Sequence, residues 1–145
     1  MNREAIINRL KKDEGFIFNA QWDEKQYSYG YGCKAPDKEA FISEPEAAAL
    51  LGKRVDQAIQ EFHEIFADQP MNDVRQCALV NMVFNLGQAG VMKFKKMIAA
   101  IKANNWEEAA NQAKDSLWYR QLKDSGDPPG RAKRIVAELR TGEPL

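Results

Sequence analysis

The sequence predicts an α+β fold in which a small N-terminal β-hairpin lobe and a larger C-terminal helical lobe are joined by a long helix. Aromatic and small residues alternate, as they do in a β-strand, only within positions 16–32. Apolar residues at helical spacing occupy most of the remaining chain. The longest such pattern predicts a helix over 44–66, with one apolar stripe formed by Leu51, Val55, Ala58, Phe62 and Ile65.

Length and composition favour one domain. A chain of 145 residues, 44% of them hydrophobic, is long enough for one well-filled core or for two small lobes that share one. We therefore predict a single domain over 1–145. Its hairpin lobe is expected at about 13–43, its bridging helix at about 44–66, and its helical lobe at about 67–145 together with the N-terminal helix.

Charge and cysteine usage exclude several classes of function. The chain carries 21 basic and 21 acidic residues, and the small basic surplus in 114–140 is more typical of a solvated face than of a nucleic-acid footprint. Residues 1–12 contain no apolar signal region and no later run approaches membrane-spanning length, so we expect a soluble, unprocessed protein without stable membrane insertion. Cys33 and Cys77 lack the spacing of a metal site, so we expect two reduced thiols, no metal and no cofactor.

The first predicted helix runs over 3–14 and ends in a carboxylate. Gly15 follows Glu14 and can adopt the left-handed conformation that closes a helix. At this position Glu14 faces the negative end of the helix dipole, which disfavours its charged form, as a general acid requires.

A hairpin is predicted next, with strands at 16–22 and 27–32 and with Asp23 at its turn. In the second strand the bulky Tyr27, Tyr29 and Tyr31 should share one face, and the small Ser28, Gly30 and Gly32 the other. The bare face would let a backbone or a ligand approach closely. Alternatively, the glycines only permit bends in a small twisted sheet.

The rest of the chain is predicted to be helical. Ser43 and Glu46 form a capping box at the start of helix 44–66, and His63 on that helix has no catalytic partner, so a structural or solvated role is expected. A core helix that is apolar on nearly every side is expected at 73–86. Further predictions are a helix carrying Phe94 to Ile101, a helix from Trp106 to Tyr119 capped by Asn105, a loop at 124–130 and a last helix over 131–139.

Two carboxylates at structural corners suit glycoside cleavage. That reaction needs one protonated acid for the leaving oxygen and a second, ionised group to handle water or the cation-like transition state. Glu14 at a helix end and Asp23 at a turn fit these roles, although two acidic residues nine positions apart also occur by chance in any charged chain.

The motifs around these carboxylates resemble a known family. Glu14-Gly15, then Asp23 and the run Ser28-Tyr-Gly-Tyr-Gly32 are similar to the active-site region of phage-type lysozymes, glycoside hydrolase family 24. The core helix from Asp73 to Gly87, the Trp106 and Trp118 segments and the stretch 131–142 extend the resemblance over nearly the whole chain.

The resemblance implies hydrolysis of the β-1,4 bond between N-acetylmuramic acid and N-acetylglucosamine in peptidoglycan. Glu14 would be the general acid, while Asp23 and Ser28 would hold the attacking water, giving inversion. By the same resemblance Asn85, which follows Phe84, would line the sugar cleft and Arg131 would lie close to Glu14. Phe84, Asn85 and Arg131, with Gly30 and Gly32, are thus the predicted substrate-binding residues. Asn85 and Arg131 equally fit purely structural roles, as a bonded helix residue and the start of a basic helix.

Three positions depart from the family pattern. Ser28 replaces the usual threonine, only four residues separate it from Asp23 rather than five, and Cys33 replaces a histidine. None of these changes removes a catalytic group. Two other functions stay open: a lytic transglycosylase that uses Glu14 alone, and a catalytically inactive wall-binding protein of the same fold.

The expected partners follow from the same resemblance, and the expected location follows from it together with the lack of a signal region. The substrate would be peptidoglycan glycan strands, and the protein would accumulate as a monomer in the host bacterial cytoplasm. It would then depend on a membrane-permeabilising holin to reach the wall.

Overall fold

The α+β prediction is confirmed. The computed structural model describes residues 1–124 and 130–145, and most of the predicted 124–130 loop lies outside these residues. Within them, a small antiparallel sheet near the N-terminus is accompanied by helices elsewhere. The elements are α1 (Arg3–Glu14), β1 (Ile17–Trp22), β2 (Tyr27–Gly30), β3 (Cys33–Lys34), α2 (Glu44–Phe66), α3 (Asp73–Met92), α4 (Lys95–Lys102), α5 (Trp106–Lys114), α6 (Leu117–Leu122) and α7 (Arg131–Thr141).

The chain divides into two compact units. One comprises Arg3–Gln57 and the other combines Met1–Asn2 with Ala58–Leu145, so that α2 contributes residues to both. The first unit contains α1 and the whole sheet, whereas the sequence predicts that the N-terminal helix belongs to the helical lobe. The expectation that the chain is one domain stays a prediction.

The sheet has one strand more than the predicted hairpin. Its order is β1-β2-β3, and Trp22 pairs with Tyr27 beside the turn. The predicted strand over 27–32 is wrong beyond Gly30, because Gly30 and Gly32 adopt positive φ angles of 61° and 73°. These left-handed residues turn the chain into β3, so Gly32 lies outside β2, whereas Gly30, its last residue, shares the buried strand face of Ser28.

α2 begins and packs as predicted. The Ser43 hydroxyl accepts a hydrogen bond from the Glu46 backbone N–H at 3.3 Å and donates to the Glu46 carboxylate at 2.8 Å. The residues of the predicted stripe are all buried, from Leu51 to Ile65. A buried apolar stripe, rather than intrinsic propensity, stabilises a helix of this length.

The helical unit shows two differences from the predicted elements. α3, whose central residues form a buried core as predicted, continues to Met92 after a kink at Gly87 (φ 76°, ψ 163°). The predicted helix from Trp106 to Tyr119 is two helices. The Ser116 hydroxyl donates to the Ala113 carbonyl at 2.6 Å and accepts from the Tyr119 N–H at 3.1 Å, which ends α5 and caps α6.

Other sequence expectations concern membranes, metals and His63. None of the helices in the described parts of the chain has the length and apolar character needed to cross a membrane. Residues 1–124 and 130–145 contain no cluster of three or more His, Cys, Asp or Glu side chains suited to a metal ion. His63 is exposed and its Nδ1 lies 3.4 Å from the Ala67 carbonyl oxygen, which agrees with a structural or solvated role.

Candidate active site

Glu14 is the last residue of α1, and the chain turns away directly after it. The Gly15 N–H donates to the Lys11 carbonyl at 3.0 Å, and Gly15 takes a φ of 70°, so the predicted left-handed helix end is confirmed. This turn leaves the half-buried Glu14 side chain at the corner between α1 and the sheet.

Gly32 lies directly against the Glu14 carboxyl group. A Cβ atom at Gly32 would be 3.1 Å from Glu14 Oε2 and 3.6 Å from Glu14 Cδ. A side chain at position 32 would therefore push on the carboxyl group, in addition to the strain of its positive φ. The absence of a side chain at position 32 leaves room for the Glu14 carboxyl group. The sequence predicts open space at Gly32, and Glu14 fills that space.

Asp23 and Ser28 are brought together by a tight turn. The Asp23 N–H donates to the Gln26 carbonyl at 3.0 Å, and Glu24 adopts a φ of 79° to close the turn. The buried Ser28 hydroxyl donates to Oδ2 of Asp23. The spacing that is one residue shorter than the family pattern thus still joins the two side chains.

Two backbone groups complete the environment of Asp23. Its Oδ1 accepts hydrogen bonds from the N–H groups of Gln26 at 2.9 Å and Lys25 at 3.1 Å. The Ser28 hydroxyl first, and then these two amides, hold the pKa of Asp23 below its ordinary value, because each bond favours the charged form. Asp23 is therefore an exposed, ionised carboxylate with a fixed orientation.

Gln26 is a neighbour of this pair that the sequence did not identify. Besides its backbone bond to Asp23, its side-chain Nε2 lies 3.5 Å from Ser28 Oγ. An aspartate side chain that bonds backbone N–H groups two residues further on is a known turn signal. The position of Asp23 in a predicted turn is therefore the sequence feature from which its contact with Gln26 can be predicted.

Gly30 has a packing role. It is buried, and a Cβ atom there would lie 2.9 Å from the Cβ of Ala47 on α2. The group that approaches Gly30 closely is therefore α2 of the same chain. The sequence pattern allows either a backbone or a ligand at this face. Its assignment to substrate binding stays a prediction.

The other predicted substrate-binding residues belong to the helical unit. Phe84 and Asn85 are half-buried on α3, just before the kink at Gly87. The Asn85 amide oxygen accepts a hydrogen bond from Trp118 Nε1 at 2.8 Å, which fixes the orientation of the amide. Arg131 is the first residue of α7 and only 8% exposed. The roles of these side chains toward substrate stay predictions.

A cavity in the helical unit contains none of the predicted site residues. It has a volume of about 420 Å³ and lies where α4 begins and α5 ends. Its lining includes Lys93, Lys95 and Lys96 around Phe94. The candidate site is therefore defined by the arrangement of side chains rather than by the size of a cavity.

The comparison with known protein families decides the assignment. A family described as phage lysozyme matches residues 11–137, a range that includes every predicted site residue. The chain belongs to the phage lysozyme family.

Individual relatives of this phage lysozyme domain agree with the family match. The pre-baseplate central spike protein Gp5 of Enterobacteria phage T4 is 30% identical over 166 residues, which cover 95% of this chain and 28% of Gp5. Probable T4-type lysozyme 1 of Dictyostelium discoideum is 28% identical, covering 94% of this chain and 77% of its own length. Probable T4-type lysozyme 2 of the same organism is 34% identical, with coverages of 72% and 61%. The chain thus spans less than a third of Gp5 but most of the first Dictyostelium protein.

Proposed function

We propose that this protein is a peptidoglycan-lysing lysozyme, a glycoside hydrolase that cleaves the β-1,4 bond between N-acetylmuramic acid and N-acetylglucosamine. The observation that carries the proposal is the pairing of Asp23 with Ser28 in the same compact unit as Glu14, inside a phage lysozyme domain. The names of the two Dictyostelium relatives support the same activity.

In the proposed reaction Glu14 is the general acid. It transfers its proton to the glycosidic oxygen as the bond from that oxygen to the muramic acid C1 breaks, and positive charge develops on the sugar ring. The position of Glu14 at the end of α1 and against Gly32 supports this role, because proton transfer requires the acid to lie within hydrogen-bond reach of the leaving oxygen.

Asp23 and Ser28 are proposed to hold the attacking water. An ionised carboxylate offers roughly four lone-pair positions, and the Ser28 hydroxyl and two backbone amides occupy three of them in this turn. The remaining position can accept a hydrogen bond from one water molecule, which attacks C1 on the face opposite the leaving group and releases its proton to Asp23. Attack from that face inverts the configuration at C1.

The negative charge of Asp23 has a second use in this reaction. Its lowered pKa keeps it ionised at neutral pH, and an ionised carboxylate stabilises the cation-like transition state. Asp23 is accordingly proposed to orient water and stabilise charge more than to act as a strong base.

Two neutral isosteres test the proposal. We expect Glu14→Gln and Asp23→Asn each to abolish the loss of turbidity of a peptidoglycan suspension, because each removes a charge or proton that the reaction uses. Circular dichroism should show both variants folded. Glu4→Gln, on the exposed first turn of α1, and Asp56→Asn, exposed on α2, are matched controls that should retain full activity. Full activity in either Glu14→Gln or Asp23→Asn refutes the proposal.

The substrate and location follow the same proposal. Peptidoglycan glycan strands are the proposed polymer, and the protein is proposed to act from the host bacterial cytoplasm after a holin has permeabilised the membrane.

A further inference from the structure

Arg54 on α2 is bonded to the turn that lies against Glu14. Its Nη1 donates to the carbonyl oxygens of Tyr31 at 3.1 Å and Gly32 at 3.3 Å. The same nitrogen lies 3.8 Å from the Sγ atom of the buried Cys33. One guanidinium group therefore contacts both residues between β2 and β3 and the first residue of β3.

This turn has an unusual backbone and needs such a partner. Tyr31 lies between two left-handed glycines with φ angles of 61° and 73°, so no regular ladder continues through it. Backbone carbonyls outside a ladder must bond elsewhere when they are withdrawn from water. Arg54 supplies this donor for the carbonyl of the buried Tyr31, and it also donates to the carbonyl of Gly32, which is exposed.

Arg54 also places a permanent positive charge near the acid. Its Nη1 lies 3.9 Å from the position of a Cβ on Gly32, and Glu14 Oε2 lies 3.1 Å from that same position. The two atoms can therefore be no more than about 7 Å apart. At this distance the guanidinium field acts on the orientation of the carboxyl group.

Two further residues of α2, Glu44 and Ala47, contact the same turn. The buried Tyr31 hydroxyl donates to Glu44 Oε2 at 2.8 Å, and Ala47 packs against Gly30. Burial, and then the bond to Glu44, raise the pKa of Tyr31, so the phenol remains a protonated donor. Glu44, Ala47 and Arg54 follow one another at spacings of 3 and 7 residues, which puts them on one face of the helix.

We infer that Arg54 is a positioning residue for Glu14: by holding the carbonyls of Tyr31 and Gly32, it keeps Gly32 against the carboxyl group and fixes the direction in which Glu14 presents its proton. The inference rests on the proposed function, in which Glu14 is the acid. It assigns to α2 a role in the reaction that none of the sequence motifs indicated.

Removing the guanidinium tests the inference. We expect Arg54→Met to lower kcat on a soluble glycan-strand oligomer by on the order of ten- to a hundredfold with little change in KM, because small misplacements of a reacting group have effects of this size. Arg54→Lys should recover most of the rate, since one ammonium nitrogen can donate to both carbonyls. Rates are expressed per folded molecule, with the folded fraction measured by circular dichroism at the assay temperature.

Arg3→Met is the matched control. Arg3 also bonds α2, donating to Asp56 at 2.7 Å and to the Gly52 carbonyl at 3.4 Å, but it donates to neither the Tyr31 nor the Gly32 carbonyl. Its loss should reduce stability and leave kcat unchanged. If Arg54→Met fails to fold, Arg54→Gln is judged by the same criteria, because its amide nitrogen lies two bonds closer to the backbone than Nη1 and cannot bond both carbonyls.

Two outcomes overturn the inference: an unchanged kcat in Arg54→Met, or equal losses in Arg54→Met and Arg3→Met. Glu14→Gln is measured alongside. An inactive Glu14→Gln with a fully active Arg54→Met overturns the positioning role alone, whereas an active Glu14→Gln overturns the proposed function itself.

Discussion

Asp23 and Ser28 show what a single hydrogen bond contributes at the residue scale. The sequence placed both in the site by resemblance, but it left open whether the shortened turn would hold them together. The answer depends on Glu24, which accepts a left-handed conformation so that the turn closes with Asp23 facing Ser28. A non-glycine residue with positive φ has no reliable sequence signal, so this geometry could not be predicted.

The hydrogen bond from Ser28 predicts a measurable shift in pH dependence. We expect Ser28→Ala to raise the pKa of Asp23 toward its ordinary value, because the largest cause of its lowering is removed. Because activity needs ionised Asp23, the acid limb of the pH–rate profile should then move to higher pH. Rate against pH, together with a carboxyl NMR titration of Asp23, measures both effects.

The same bond links Asp23 to stability. Because its pKa is lower in the folded chain, Asp23 adds stability above its unfolded pKa, and this stability is lost as pH falls through the folded pKa. Ser28→Ala should reduce that stability at neutral pH, while Ser28→Thr, which keeps the hydroxyl, should preserve both properties. An unchanged acid limb in Ser28→Ala would show that the Ser28 bond does not control Asp23.

At the element scale, the turn between β2 and β3 has two glycines with different tasks. Gly30 packs against Ala47 in the core, whereas Gly32 packs against the catalytic candidate Glu14. The alternating tyrosines predicted one longer strand, and local pattern alone cannot reveal that the strand ends at Gly30. The break between α5 and α6 escaped prediction for a similar reason, because Ser116 interrupts a helical pattern only through bonds to particular backbone groups.

Alanine at each glycine separates these tasks. Gly30→Ala would put its Cβ 2.9 Å from that of Ala47, so it should destabilise the fold by about 1–3 kcal/mol from overpacking, with left-handed strain in addition. Its activity per folded molecule should fall less than that of Gly32→Ala. Gly32→Ala should cost about 1–2 kcal/mol in left-handed strain and should also lose activity, since its Cβ would lie 3.1 Å from Glu14 Oε2.

Urea unfolding and activity per folded molecule distinguish the two variants. Full activity in Gly32→Ala would mean that contact with Gly32 does not set the position of Glu14. Equal activity losses in both variants would assign the effect to the turn as a whole.

At the scale of the whole molecule, long apolar patterns predicted the fold well. The buried stripe of α2 and the core of α3 were visible in the sequence because burial imposes helical spacing over many residues. The grouping of α1 with the sheet was not visible, since an amphipathic pattern shows that a face is buried without naming its partner. The chemistry depended on family motifs, because Glu14 and Asp23 carry no distinctive signal when taken alone.

The central claim is that this phage lysozyme domain hydrolyses glycan strands with Glu14 as the acid and a water held by Asp23 and Ser28. The most direct measurement is product analysis after digestion of purified peptidoglycan in ¹⁸O-labelled water. We predict soluble muropeptides whose new reducing-end N-acetylmuramic acid carries one labelled oxygen and first forms as the α anomer. Unlabelled 1,6-anhydro ends would indicate a transglycosylase, and the absence of soluble products would indicate a wall-binding protein; either result would contradict the claim.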